Sequence, residues 1–107
     1  MERRNDIPNL LVMYIRNTRE IYDITIWLQN CIIKKINKDV QPQLEYLANC
    51  STMKMIIREA AKLLYKYDGI TPTRQEKQEA AREHAKYILD SVQCCIQKSM
   101  LIKIKTL

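Results

Sequence analysis

Thr52-Met53-Lys54-Met55-Ile56-Ile57-Arg58-Glu59-Ala60-Ala61-Lys62-Leu63-Leu64-Tyr65-Lys66-Tyr67, followed by Asp68-Gly69, reads as one element and its stop. Met53, Ile56, Ile57, Ala60, Leu63, Leu64 and Tyr67 recur at intervals of three and four, the period of an α-helix with one buried face. Ser51 or Thr52 can cap its first turn, and Gly69 can adopt the left-handed conformation that ends it. The fold class follows from this helix, because its neighbours in the chain carry the same signature.

Downstream, Thr71-Pro72-Thr73 with Glu76 forms a capping-box pattern and opens a last helix. Its stripe is Ala81, Ala85, Ile88, Val92 and Cys95, flanked by Leu89 and Ile96. That alternation of three and four suits packing in a bundle. After Ser99 the phase fails, and Met100 to Leu107 alternates with a period of two and carries Lys103 and Lys105. This stretch reads as a basic tail, frayed or strand-like, and the domain proper as residues 1–99.

Upstream, Asp39-Val40-Gln41-Pro42 is a turn, and Pro42 opens a short helix through Ala48. A longer helix precedes it, from about Thr18 to Lys38. On this helix Ile21, Tyr22, Ile24, Ile26, Leu28, Cys31, Ile32, Ile33 and Ile36 cover roughly 220° of the circumference, wider than an ordinary surface stripe. It is expected either at the centre of the bundle or buried a second time in a homo-oligomer. Trp27 falls inside its narrow polar strip. Nearer the start, Asp6 and Pro8 mark a first helix carrying Leu10, Leu11, Tyr14 and Ile15. Asn17-Thr18-Arg19-Glu20 resembles a second capping box, which leaves open whether the first two helices are one.

Composition agrees with helices. The 107 residues include one Gly and three Pro, few for a strand-rich domain with many turns. A chain of this length buries roughly two-thirds of its unfolded surface and needs no metal or disulfide to fold. The expectation is a small all-α bundle of about four helices.

The longest unbroken apolar run, Leu10–Ile15, is too short to span a bilayer. It follows Met1-Glu2-Arg3-Arg4 but ends at Arg16 without a small-residue cleavage pattern, so a cytoplasmic or otherwise intracellular protein is expected. Cys31, Cys50, Cys94 and Cys95 then read as reduced, buried structural thiols. No Cys-x-x-Cys pair is present, Cys94 and Cys95 are adjacent, and His84 is the single histidine, on the edge of the core stripe. A zinc site of Cys31, Cys50, Cys95 and His84 would need three helices to converge on it, so no metal is expected. No catalytic residue and no cofactor is expected either. There is no glycine-rich loop to hold a phosphate or an oxyanion, and the acids read as solvent-facing beside cations. Arg16 and Arg58 are the loosest candidates for holding a dianion.

Eighteen Lys and Arg against twelve Asp and Glu give a net charge of +6, which favours acidic partners. Lys54, Arg58, Lys62 and Lys66 stand four residues apart on one helix, with Tyr65 beside them and Glu59 at the edge. Like charges at that spacing repel, and a phosphate backbone would relieve the repulsion while Tyr65 stacked on a base. The plainer alternative is a solvated face whose lysine stems shield the core. On the last helix Arg74, Lys77, Arg82 and Lys86 mix with Glu76, Glu79, Glu83 and Asp90, the pattern of an ordinary surface, to which no ligand is assigned.

Two functions are therefore expected in competition. In the first, an oligomerising, non-enzymatic protein presents Lys54, Arg58, Lys62, Tyr65 and Lys66 to nucleic acid in a sequence-tolerant way, aided by Lys98, Lys103 and Lys105, as a small subunit or accessory protein of a nucleic-acid-handling complex. In the second, a protein-interaction module (an adaptor, an inhibitor, or a phage or viral accessory protein) binds its partner through Trp27 and the apolar surface of the second helix.

Overall fold

A computed structural model describes residues 4–33 and 43–105, with side chains described as far as Cys94. Five helices account for nearly all of it: α1 (Ile7–Asn17), α2 (Arg19–Ile33), α3 (Gln43–Asn49), α4 (Ser51–Asp68) and α5 (Arg74–Lys105). The protein is all-α, and no strand occurs among the described residues.

The count exceeds four because α1 and α2 are separate. Thr18 alone is extended between them (φ −104°, ψ 112°), and its N–H still closes on the Tyr14 carbonyl while its own carbonyl accepts from Tyr22. The break falls one residue later than the Asn17 capping box suggested. The expected course of α2 beyond Ile33, to Lys38, lies outside the described residues, as does Pro42.

The far end of the chain differs more. Residues 100–105 continue α5 and form no strand. Propagating an existing helix gains one hydrogen bond per residue without a new nucleus, which outweighs the weak period-two pattern of Met100 to Ile104.

Local caps explain the boundaries. Cys50, not Ser51 or Thr52, caps α4: its backbone is extended and its Sγ accepts from the Met53 N–H at 3.4 Å. Gly69 closes the helix at φ 67° as expected, its N–H reaching the Tyr65 carbonyl. At the start of α5 the Thr73 N–H donates to Glu76 Oε1 (2.7 Å) and the Glu76 N–H to Thr73 Oγ1 (3.2 Å), a complete capping box. Asp6 precedes α1, and its carbonyl accepts from Leu10, but its carboxylate is held by Arg4 and caps nothing.

α5 is the axis, packing against each of the other four helices. Its buried residues are Ala80, Ala81, His84, Ala85, Ile88, Leu89 and Val92. Alanines at the N-terminal end let neighbouring helices approach closely; larger aliphatics fill the space further along. Around it lie Ile7, Leu11, Val12 and Ile15 of α1, Ile21, Leu28 and Ile32 of α2, Leu47 of α3, and Met53, Ile56, Ile57, Ala60 and Leu64 of α4. The expected face of α4 is thus the buried one, except that Leu63 is half-buried and Tyr67 is exposed and stacks on Tyr14 (ring centroids 6.2 Å apart). The Tyr14 hydroxyl donates to Asp68, which ties α1 to the end of α4 and raises the phenol's pKa.

One polar pair sits inside. His84 and Thr25 are both fully buried, with Nε2 and Oγ1 2.9 Å apart. Thr25 Oγ1 also reaches the Ile21 carbonyl at 3.3 Å. The hydroxyl has one proton, so the arrangement that satisfies both contacts has Nε2–H donating to Oγ1 and Oγ1–H donating to Ile21. Nδ1 then carries a buried lone pair with no partner. His84 is therefore deep in the core and not at its edge. The imidazole packs against Tyr87 (centroids 5.9 Å), whose ring also lies under the Arg16 guanidinium at 4.5 Å. Burial, helped by the Arg16 charge, lowers the His84 pKa to about 4.

Candidate nucleic-acid interface

The short connection from Gly69 to Thr73 brings the start of α5 back alongside α4. Because the small residues Ala61 and Ala81 lie where the two helices face each other, the surface there is hollow. The resulting cleft encloses about 760 Å³. Its floor is apolar, from Ala48, Met53, Ile57, Ala61, Pro72 and Ala81. Lys54, Arg58 and Lys62 of α4 edge one side and Arg74 and Lys77 of α5 the other, with Tyr65, Asn49, Gln78 and Thr71 between them. No carboxylate lines it among the described residues.

Three of the four expected cations therefore share the cleft, together with Tyr65, while Lys66 does not line it. Four residues advance a helix by about 400°, so each step of the stripe drifts about 40° and Lys66 stands about 120° round from Lys54. Its ammonium lies 5.3 Å from the centre of the Tyr67 ring instead. Lys62 is shared with Glu59 through an exposed contact at 3.0 Å, which leaves its charge only weakly committed. Lys54, Arg58, Arg74 and Lys77 form no ion pair among the described residues.

Arg74 and Lys77 were the residues sequence reasoning missed. Their helix carries acids at pairing distance; among the described residues Lys86 reaches Glu83 at 3.5 Å and Arg82 pairs with Glu45 of α3. The first turn of α5 is turned toward α4, and the signal for this was the tight Gly69–Thr73 connection, which makes the two helices adjacent. Lys98, Lys103 and Lys105 have side chains outside the described residues.

Trp27 lies elsewhere, on the outer face of α2, and is 58% exposed. α2 buries the single stripe Ile21, Thr25, Leu28 and Ile32 and leaves Tyr22 exposed and Ile24, Ile26, Cys31 and Ile33 half-buried. Ile24 and Ile33 still pack against the core, which leaves Tyr22, Ile26 and Cys31, beside Trp27, as the apolar residues of α2 turned away from it.

Three cysteines differ from the expected buried thiols, and the side chain of Cys95 lies outside the described residues. Cys31 and Cys50 are half-buried and Cys94 is exposed. No cluster of three His, Cys, Asp or Glu side chains that could hold a metal exists among the described residues. Among them, too, no helix is long and apolar enough to cross a membrane. Known protein families, curated proteins and solved structures include no match to this chain.

Proposed function

We propose that this is a non-enzymatic nucleic-acid-binding protein that holds a sugar–phosphate backbone in the α4–α5 cleft. The observation that carries this reading is the convergence of five cations from two helices on one concavity with no acid in its lining. Lysine and arginine ends on two rims can each neutralise a phosphate and release its counterion, a gain that does not depend on base sequence. Oligomerisation would align several clefts and multiply weak contacts.

The test is fluorescence anisotropy of a labelled mixed-sequence oligonucleotide at graded salt. If four or five cations each meet a phosphate, log K should fall against log salt with a slope of about −3 to −4. The double variant Arg58→Glu/Lys77→Glu, one residue from each rim, should lose that binding while keeping its helical circular dichroism. Unchanged binding in that folded variant would remove the cleft from the function.

A second reading rests on α2. Trp27 at 58% exposure and Tyr22 at 37% stand on the outer side of α2, about 140° apart with Asp23 and Asn30 between them, and exposed aromatics can anchor protein interfaces. In this reading the chain is an interaction module or homo-oligomer. Trp27→Ala should then weaken self-association or partner capture, measured by sedimentation, with little dependence on salt. An unchanged sedimentation profile and unchanged capture would exclude it.

A further inference from the structure

We infer that the strand taken by the cleft is single and that it enters with its bases turned inward. The inference rests on the nucleic-acid reading above and deepens it.

The cleft has two chemistries in two places. Its rims are cationic and its floor, built around Met53, Ile57 and Ala61, is apolar. A duplex offers phosphates on a convex surface and keeps the faces of its bases stacked inside. It would meet the rims and leave the floor in water. A single strand offers both a charged backbone and flat apolar faces, which matches rim and floor together. The cleft's volume of about 760 Å³ falls within the range of roughly 300–1,000 Å³ that takes small organic groups.

Tyr65 supplies the second argument. It is 64% exposed at the wall of the cleft, and it joins no ring stack or cation contact among the described residues. The other tyrosines close by differ: Tyr67 is stacked on Tyr14 and capped by Lys66. An unstacked aromatic ring beside four unpaired cations is the arrangement that single-strand binders use, a platform for one base with charges tracking the backbone. Asn49 contributes too. One Nδ2–H donates to the Glu45 carbonyl at 2.8 Å, which fixes the amide and leaves the second N–H and Oδ1 for a base edge.

The experiment uses the full chain and fluorescence anisotropy at low salt. The probes are an oligothymidylate and an oligouridylate of about twelve nucleotides, within the span of common single-strand sites, and a mixed-sequence strand of that length, free and annealed to its complement. Single strands should bind at least about tenfold more tightly than the duplex. Tyr65→Ala should weaken them by about tenfold or more without changing the salt slope, since no charge is lost. Tyr65→Phe, which keeps the ring, should restore binding. Equal affinity for the two oligomers would place recognition on base and phosphate, and tighter oligouridylate binding would assign RNA through its 2′-hydroxyl; either supports the inference.

Duplex binding as tight as single-strand binding, or a Tyr65→Ala variant that binds like the parent, would overturn the inference and leave the backbone reading standing. Failure to bind any oligonucleotide would overturn both. If the protein instead binds an acidic amphipathic helical peptide and no oligonucleotide, the cleft is a protein-docking groove and both are again overturned.

Discussion

Acid should destabilise this protein through one histidine. His84 has no solvent exposure, one hydrogen bond to Thr25, and an unpartnered Nδ1. Protonating the ring would place a cation in the core, near Arg16, with no carboxylate among the described residues to receive it. The folded pKa is about 4, against 6.5 for a free imidazole. A depressed histidine pKa means that the unfolded chain binds the proton more tightly, so stability falls as pH falls. The contribution is complete above the unfolded pKa of 6.5, is lost through the window from there to about 4, and is gone below it. The full window corresponds to about 3 kcal/mol, and the part between pH 7 and pH 5 to about 2 kcal/mol. The assay is urea unfolding followed by circular dichroism at each pH, for the parent and for His84→Leu. Leucine cannot titrate, and Thr25 keeps its bond to Ile21, so the variant stays satisfied. Carboxylates shift both profiles alike, and the difference between them isolates His84. That difference should change by about 2 kcal/mol from pH 7 to pH 5 whatever the substitution itself costs. Profiles that run parallel to within about 0.5 kcal/mol would refute a neutral, desolvated His84.

Gly69→Ala should cost about 1 kcal/mol in thermal unfolding: nothing crowds the added Cβ, so the whole penalty comes from the left-handed backbone at φ 67°. Thr73→Ala removes half of a complete capping box and should cost about 1 kcal/mol, read from chemical denaturation. Glu76→Gln, which can still accept from Thr73, should cost less. Arg58→Gln should weaken oligonucleotide binding at moderate salt and reduce the salt slope by about 1 while leaving the melting temperature unchanged or slightly raised.

How much of this was legible depends on the range of the signal. α4 was readable because its periodicity, Gly69 stop and flanking turns all agree within twenty residues. Ala81, Ala85, Ile88, Leu89 and Val92 of α5 were readable from the same periodicity, whereas Ala80 and His84 were not, and Cys95 and Ile96 have side chains outside the described residues. Cys50 was not recognised as a cap, because sulfur is a weak acceptor and Ser51 and Thr52 stand beside it. The split at Thr18 turns on one residue's backbone angles, and the capping pattern allowed either outcome. His84 lay on the edge of a helical wheel, and only Thr25, fifty-nine positions away in the chain, shows why it is inside. The cleft was half legible for that reason. Lys54, Arg58, Lys62 and Tyr65 share a helix, whereas Arg74 and Lys77 join them only through the α4–α5 packing.

The Arg58 substitution separates a surface shaped by function from one shaped by solubility. Arg58 has like charges four residues away on both sides, Lys54 and Lys62, and each such pair costs an isolated helix about 0.2–0.5 kcal/mol. Glu59 does not offset this, because it is adjacent in sequence and its carboxylate is turned to Lys62. Arg58 also forms no ion pair among the described residues, so replacing it with glutamine breaks no salt bridge. Glutamine retains part of the aliphatic stem and helix propensity close to that of arginine. Removing the charge should therefore relieve two repulsions, and stability should stay level or rise by a few tenths of a kcal/mol. If the stripe were only a solvated cover for the core, its composition could have alternated in sign, as α5 does at Glu83 and Lys86. On the proposed reading, a phosphate in the cleft would offset the repulsion among these cations. Arg58→Gln tests that account on two axes at once. A lower melting temperature would show that the guanidinium stabilises the fold, and binding with unchanged affinity and an unchanged salt slope would show that Arg58 meets no phosphate.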